Sequence, residues 1–270
     1  MAPYVCTQPA RWAPNRMRRH PRRFPHRMLD LESALKRLAC LCTLAGLAAC
    51  GGGSPLAAAS PTVDTDGGGT GATLGATRQG EGTYYAATGA GACSYDASAD
   101  RMVAAMNHTD YAGSAACGEH VRVTGPLGTV TVRIVDECPE CAPGDVDLSA
   151  EAFARIAEPV AGRVPITWQV VTGAVSGPVQ YRYKEGSTRY WTAIQVRNHP
   201  VPIARLEIQP DGTGNWIAVP RTDYNYFVHP VAIGAGALQV RVTSSTGVAL
   251  IDRLPQPQGG LVVDGTGQFQ

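Results

Sequence analysis

Ile134-Val135-Asp136-Glu137-Cys138-Pro139-Glu140-Cys141-Ala142-Pro143-Gly144-Asp145-Val146-Asp147-Leu148-Ser149 is the stretch on which the reading of this chain turns. It sets five carboxylates within twelve residues, Asp136 to Asp147, between a strand pattern and a helix start. Upstream, Val130 to Val135 alternates, with Val130, Val132 and Ile134 on one face and Thr131, Arg133 and Val135 on the other. That is the period of a half-buried strand. Downstream, Ser149 is placed to cap a helix near Ala150–Ala157. Glu151 suits its first turn, Phe153, Ile156 and Ala157 form its apolar stripe, and Pro159 stops it. Asp136 thus ends a strand and Asp147 stands just before the cap, on a connection positioned by rigid elements, where sites tend to lie. Two carboxylates there suit an acid–base pair. They equally suit a turn cap at Asp136 and a helix-dipole partner at Asp147. Spacing alone does not choose.

On either side, β-branched runs at Val121–Thr124, Val130–Val135 and Ile166–Val171 are separated by turn signals such as Gly125-Pro126. With the helix they read as a β-barrel domain over residues 82–171. Thr172 to Pro178 is a short hinge. Beyond it, runs at Val179–Tyr183, Trp191–Val196, Ala204–Ile208, Trp216–Val219 and Leu238–Val242 lack helical periodicity and read as a β-sandwich over residues 177–255. Trp168 and Trp216 lie inside alternating runs and are expected in the core. The Pro/Gly/Gln-rich tail 256–270 is expected to fray.

The N-terminus reads as an address. Lys36-Arg37 precede an apolar run from Leu38 to Ala49, too short to span a bilayer but of signal-peptide length. The run ends Leu47-Ala48-Ala49-Cys50, like a bacterial lipobox, in which Cys50 carries a lipid anchor; an ordinary signal peptide cleaved nearby is the alternative. Segment 1–50 is therefore expected to direct export to a secreted or cell-surface location, with Met1 or Met28 as the start. Residues 51–80 are Gly, Ala, Thr, Ser and Pro with few large apolar groups, which predicts a disordered linker.

The whole chain, 270 residues, has a formal net charge of +1, yet residues 1–37 hold nine of its 23 Lys and Arg. From Gly51 onward there are 14 basic and 20 acidic side chains, a balance of about −6. An acidic exported portion argues against nucleic acid as a partner, since phosphate neutralisation needs clustered Lys and Arg. Cys93, Cys117, Cys138 and Cys141 remain after the address segment, and an even count in an exported chain implies disulfides. Zinc on the lone Cys138-Pro139-Glu140-Cys141 pair is the lesser alternative, because it supplies half a site. The connectivity is not deducible; the pairing expected is Cys93–Cys117 and Cys138–Cys141. No metal and no cofactor are expected.

The carboxylate stretch, with Gly82-Thr-Tyr-Tyr85, Gly91-Ala-Cys93 and Ala116-Cys-Gly118, resembles the double-psi β-barrel of expansins and related proteins. Tyr181 to Trp191, Ala193 to His199 and Thr222-Asp-Tyr-Asn225 are similar to the second domain of bacterial expansin-like proteins. The barrel motifs alone are shared with family 45 endoglucanases, barwin-like proteins and peptidoglycan lytic transglycosylases. The resemblance implies a mainly β fold: a six-stranded double-psi barrel with a flanking helix, then an immunoglobulin-like β-sandwich that binds carbohydrate. It also implies a groove with Asp147 as the acid-like residue and Thr83 and Asp136 on its polar floor. A row of aromatics, Tyr190, Trp191 and Tyr224, with Lys184 beside them, is implied as the glucan platform. Tyr85 and Ala87 stand where close bacterial relatives have Thr and Ser, and Cys138 where they have a groove Tyr.

The platform has a physical basis of its own, since aromatic faces stack on the C–H faces of pyranose rings. Adjacent Tyr190 and Trp191 cannot both face one side of a regular strand, so a bulge or loop is required there. The expected function is non-hydrolytic loosening of a cell-wall polysaccharide by a monomer. Cellulose leads as partner, with other β-glucans, xylan or peptidoglycan as further candidates. The alternative is a lytic transglycosylase or endoglucanase using Asp147 as general acid.

Overall fold

The computed structural model describes residues 71–270. The expectations for the address segment, Cys50 and most of the linker lie outside these residues. The first domain is a closed barrel of six strands: β1 (Arg78–Tyr85), β2 (Val103–Asn107), β3 (His120–Gly125), β4 (Gly128–Cys138), β5 (Val146–Ser149) and β6 (Val164–Val171). Their order around the barrel is β1-β5-β2-β4-β3-β6. Two parallel pairs, β1 with β5 and β2 with β4, stand among antiparallel ones, in keeping with the double-psi expectation. Val130, Val132 and Ile134 are buried, as their alternation requires. Val135 is buried too, because the β2–β4 register slips there and resumes at Ala105 opposite Asp136. That bulge sets which way Asp136 points.

Two short helices flank the barrel, α1 (His108–Tyr111) and α2 (Ala150–Phe153). Ser149 caps α2 as expected, its Oγ accepting the Ala152 N–H at 3.0 Å. The helix stops at Phe153 rather than running to Ala157. The chain tightens into i,i+3 turns, Arg155 N–H to Ala152 O and Ile156 N–H to Phe153 O. These keep Phe153, Ile156 and Ala157 buried without further helical backbone.

The second domain is a sandwich of two four-stranded antiparallel sheets. One has the order β10 (Ile217–Val219), β9 (Ile203–Pro210), β12 (Leu238–Ser244), β13 (Ala249–Leu254). The other has β11 (Phe227–His229), β8 (Thr192–Arg197), β7 (Gln180–Tyr183), β14 (Val262–Asp264). Its core is lined by Tyr181, Tyr183, Ile194, Leu206, Ile208 and Leu238, each at most 1% exposed.

Three expectations are corrected. The tail 256–270 does not fray: β14 pairs with β7, and Phe269 is 4% exposed in the sandwich core. An apolar side chain that completes a core offsets the entropy of ordering its segment. The linker does not extend to residue 80. β1 begins at Arg78, Thr73 bridges to Val171, and Leu74 packs against the sandwich core. Trp168 is core, but Trp216 is only half-buried, lying at the sheet surface under the Arg241 guanidinium, 4.5 Å from its ring centroid. A cation over the indole face shields it in place of core packing.

Candidate functional site

Barrel closure puts Thr83, Asp147, Ala105 and Asp136 in one row across β1, β5, β2 and β4. Thr83 is in register with Asp147, Asp147 with Ala105, and Ala105 with Asp136. Residues in register share a face, so the three polar groups named from the sequence meet. The small side chain of Ala105 separates the two carboxylates. Thr83 Oγ1 donates to Asp147 Oδ1 at 2.6 Å. Asp147 is held above the usual carboxylate range, first by burial; Glu140 and Asp136 push the same way, while the Thr83 bond and Arg163 oppose. The helix-partner reading of Asp147 does not hold, since its hydrogen bond goes to Thr83 and Ser149 supplies the cap.

Asp136 is bound differently. Its Oδ1 accepts the Ala92 N–H at 2.7 Å and the Glu137 N–H at 2.9 Å. The turn-capping reading is therefore realised, with Asp136 pinning the Gly91–Cys93 loop. Gly91 must be glycine for this approach, since a Cβ there would lie 2.3 Å from the Asp136 Cγ. Tyr85, two residues past Thr83 on the same face, is half-buried. Its Oη has no hydrogen-bond partner among the described residues, and burial first, then Asp136 and Asp147, raise its pKa. Arg163, paired with Glu81 at the rim, was not singled out from the sequence. Nothing in its local pattern marks it, because only the pairing of β6 with β1 brings it near Asp147.

Cys138 is bonded to Cys141, so the zinc alternative is not realised, and Cys93 is bonded to Cys117. Cys138 is 5% exposed and belongs to the wall of the barrel rather than to an open surface.

The aromatic residues lie on two loops of the sandwich. Thr188 and Trp191 form an isolated antiparallel bridge, with N–H···O bonds of 2.8 and 3.2 Å in the two directions. This tight loop before β8 is the irregularity that two adjacent aromatics require. Tyr190 is 61% exposed with Arg189 stacked on its ring, and Trp191 is half-exposed. Tyr224 projects from the turn Thr222–Tyr226, closed by the Thr222 N–H to Tyr226 O bond of 2.8 Å with Asn225 at φ +61°. Lys184 joins the two loops. Its N–H bonds Ala193 O just past Trp191, and its Nζ lies 5.8 Å from the Tyr224 ring centroid and 5.5 Å from that of Tyr226. Tyr226, 3% exposed, supports Tyr224 from below at 6.0 Å between ring centroids. Its support role was not foreseen, because a buried Tyr and a surface Tyr look alike in sequence.

The two regions are physically continuous. Asn225 Nδ2 and Gln195 Nε2 both donate to Cys93 O, at 3.2 and 2.8 Å. Tyr111 Oη donates to Asp223 O at 2.8 Å, and Ser114 Oγ to Thr222 O at 2.7 Å. Arg182 and Arg197 both pair with Asp96. The turn carrying Tyr224 is thus seated on the same loop, Gly91–Cys93, that Asp136 pins.

The family model described as Lytic transglycolase matches residues 77–168, the barrel. Expansin-YoaJ of Bacillus subtilis (strain 168) is 41% identical over 166 residues, which cover 60% of this chain and 70% of that relative. Expansin-like protein 5 of Dictyostelium discoideum is 28% identical over 199 residues, covering 69% and 83%. Among solved structures, apo Clavibacter michiganensis expansin matches with a TM-score of 0.66 at 39% identity, covering 72% of this chain and 98% of that one. A mutant of the same expansin, solved in complex with cellohexaose, matches with a TM-score of 0.66 at 38% identity. The similarity to Expansin-YoaJ over 70% of its length, together with these structural matches, shows that the chain belongs to the expansin family.

Proposed function

We propose that this protein is a non-hydrolytic expansin. It binds cellulose or a related cell-wall glucan on Tyr190, Trp191 and Tyr224 with Lys184, and loosens polymer contacts along the groove at Thr83, Asp136 and Asp147. The cellohexaose complex of the Clavibacter michiganensis relative supports the class of ligand. The observation that carries the non-hydrolytic reading is the unequal state of the two carboxylates. Glycoside hydrolysis canonically uses a protonated acid and a second, free carboxylate as base or nucleophile. Asp147 suits the acid, but Asp136 Oδ1 is committed to two backbone N–H groups. Both bonds fix that oxygen on the Gly91–Cys93 loop rather than leaving it free to attack a sugar or activate a water. Two disulfides fit an oxidising, exported location.

The second reading, a lytic enzyme using Asp147 alone as general acid, is favoured by one observation: the barrel matches the family described as Lytic transglycolase. Soluble sugar release from purified cellulose and peptidoglycan, measured beside creep of a stressed cellulose strip, separates the two. Creep without reducing sugar supports the proposal. Sugar or muropeptide release that disappears in Asp147→Asn overturns it.

A further inference from the structure

A crevice of about 620 Å³ opens between the barrel and the sandwich, sharing no lining residue with the groove row or the aromatic loops. That volume is typical of small-molecule sites, which run to about 300–1,000 Å³. Leu74, Val170 and Ile203 supply apolar wall, and Asp110, Glu119 and Arg221 the charged groups. Two of those three are fully served. Asp110 Oδ1 pairs with Arg78 at 2.8 Å, and its Oδ2 accepts from Asn107 Nδ2 at 2.8 Å and the Gly144 N–H at 3.0 Å. The Arg221 guanidinium donates to the carbonyls of Ser114, Ala115 and Ile203.

Glu119 is different. It is 8% exposed, its backbone is bonded to Ala116 and Ile134, and it lines the crevice. Among the described residues no hydrogen bond or ion pair reaches its carboxyl. A largely buried carboxyl with no protein partner loses part of its hydration, and a cationic ligand offsets that loss. No group of three or more His, Cys, Asp or Glu gathers as a metal site among the described residues, so a metal ion is not the natural counter-charge.

We propose that this crevice binds a small organic ammonium ion, its N–H groups seated on Glu119 and its carbon body packed on Leu74, Val170 and Ile203. The charged groups that act on Glu119 are Asp110 from α1 and Arg78 from β1. Burial first, then Asp110, pushes the Glu119 carboxyl up to about 8, with Arg78 opposing. Seating an ammonium requires the carboxylate, so the free acid releases its proton on binding. Affinity for an amine of lysine-like basicity therefore rises about tenfold per pH unit below about pH 8.

A lysine-type alkylamine and an amino sugar share this chemistry. The test titrates the intact protein by NMR with butylammonium and with glucosamine, using butanol and glucose as uncharged counterparts, at pH 6, 7 and 8. Binding of either amine, strengthening from pH 6 to 7 and absent with its neutral counterpart, supports the site. It is lost in Glu119→Gln and also in Ile203→Trp, which fills the crevice with Glu119 intact, while cellulose pull-down is unchanged in both. No amine binding, equal binding of butanol or glucose, a pH-independent affinity, or binding retained in Glu119→Gln overturns the proposal.

Discussion

Thr83→Val tests how the groove sets the acid. The substitution keeps the shape of the side chain and deletes the hydroxyl that donates to Asp147 Oδ1 at 2.6 Å. A hydrogen bond to a charged group is worth about 1.5–3 kcal/mol. Asp147 is only half-buried, so the lower end applies. Losing that bond, which favours the charged form, raises the Asp147 pKa further. Burial already lifts the folded pKa above its unfolded value of 3.8, so ionising Asp147 costs stability as pH rises from there through the folded pKa. Thr83→Val deepens that cost, so it destabilises by about 1.5 kcal/mol at pH 7 and by much less at pH 3, where the carboxyl is protonated in both states. Carboxyl-carbon NMR titration of Asp147, with urea unfolding at both pH values, reads the two quantities. A titration midpoint that stays put or falls, or an equal destabilisation at pH 3 and pH 7, refutes the reasoning.

Asp147→Asn removes a half-buried charge but leaves the Ser149 cap, so creep activity is lost while cellulose affinity holds and stability at pH 7 is unchanged or higher; a lower melting temperature with normal creep contradicts this. Replacing Tyr190, Trp191 and Tyr224 together by Ala abolishes pull-down on microcrystalline cellulose with far-UV circular dichroism unchanged, and unchanged pull-down removes the platform assignment. Gly91→Ala forces a Cβ to 2.3 Å from the Asp136 Cγ, so creep falls while cellulose binding persists. The opposite pattern in the two assays shows that Asp136 does not act through this loop. Removing Cys93–Cys117, a separation of 24 residues, costs about 3.5 kcal/mol by loop-closure entropy, against about 2 kcal/mol for Cys138–Cys141. Chemical denaturation of the paired Cys→Ser variants checks the order.

Features under local chemical control were legible in the residues alone. Alternation from Val130 placed Val132 and Ile134 in the core, Ser149 marked the start of the short helix it caps, and two adjacent aromatics required an irregular backbone, seen in the Thr188–Trp191 bridge. The family motifs sharpened the barrel and the sandwich that the β-branched runs and turn signals already suggested, and singled out Thr83 and the aromatic residues, which periodicity does not name. Other outcomes were settled only by folding, because they depend on residues distant in the chain. Thr83 and Asp147 are 64 residues apart and meet only when β1 pairs in parallel with β5. The strand Val103–Asn107 shows no alternation because it is buried throughout, so a period-two search passes over it. The tail looked too polar and glycine-rich to order, yet one apolar residue, Phe269, and an open edge beside β7 were enough to hold it. Trp216 left the core because Arg241, opposite Glu207 on the neighbouring strand, covers its ring from outside. Glu119 reads as an ordinary surface acid until the barrel and sandwich close around it. Burial and partnership are properties of the folded surface, and no window of neighbouring residues contains them.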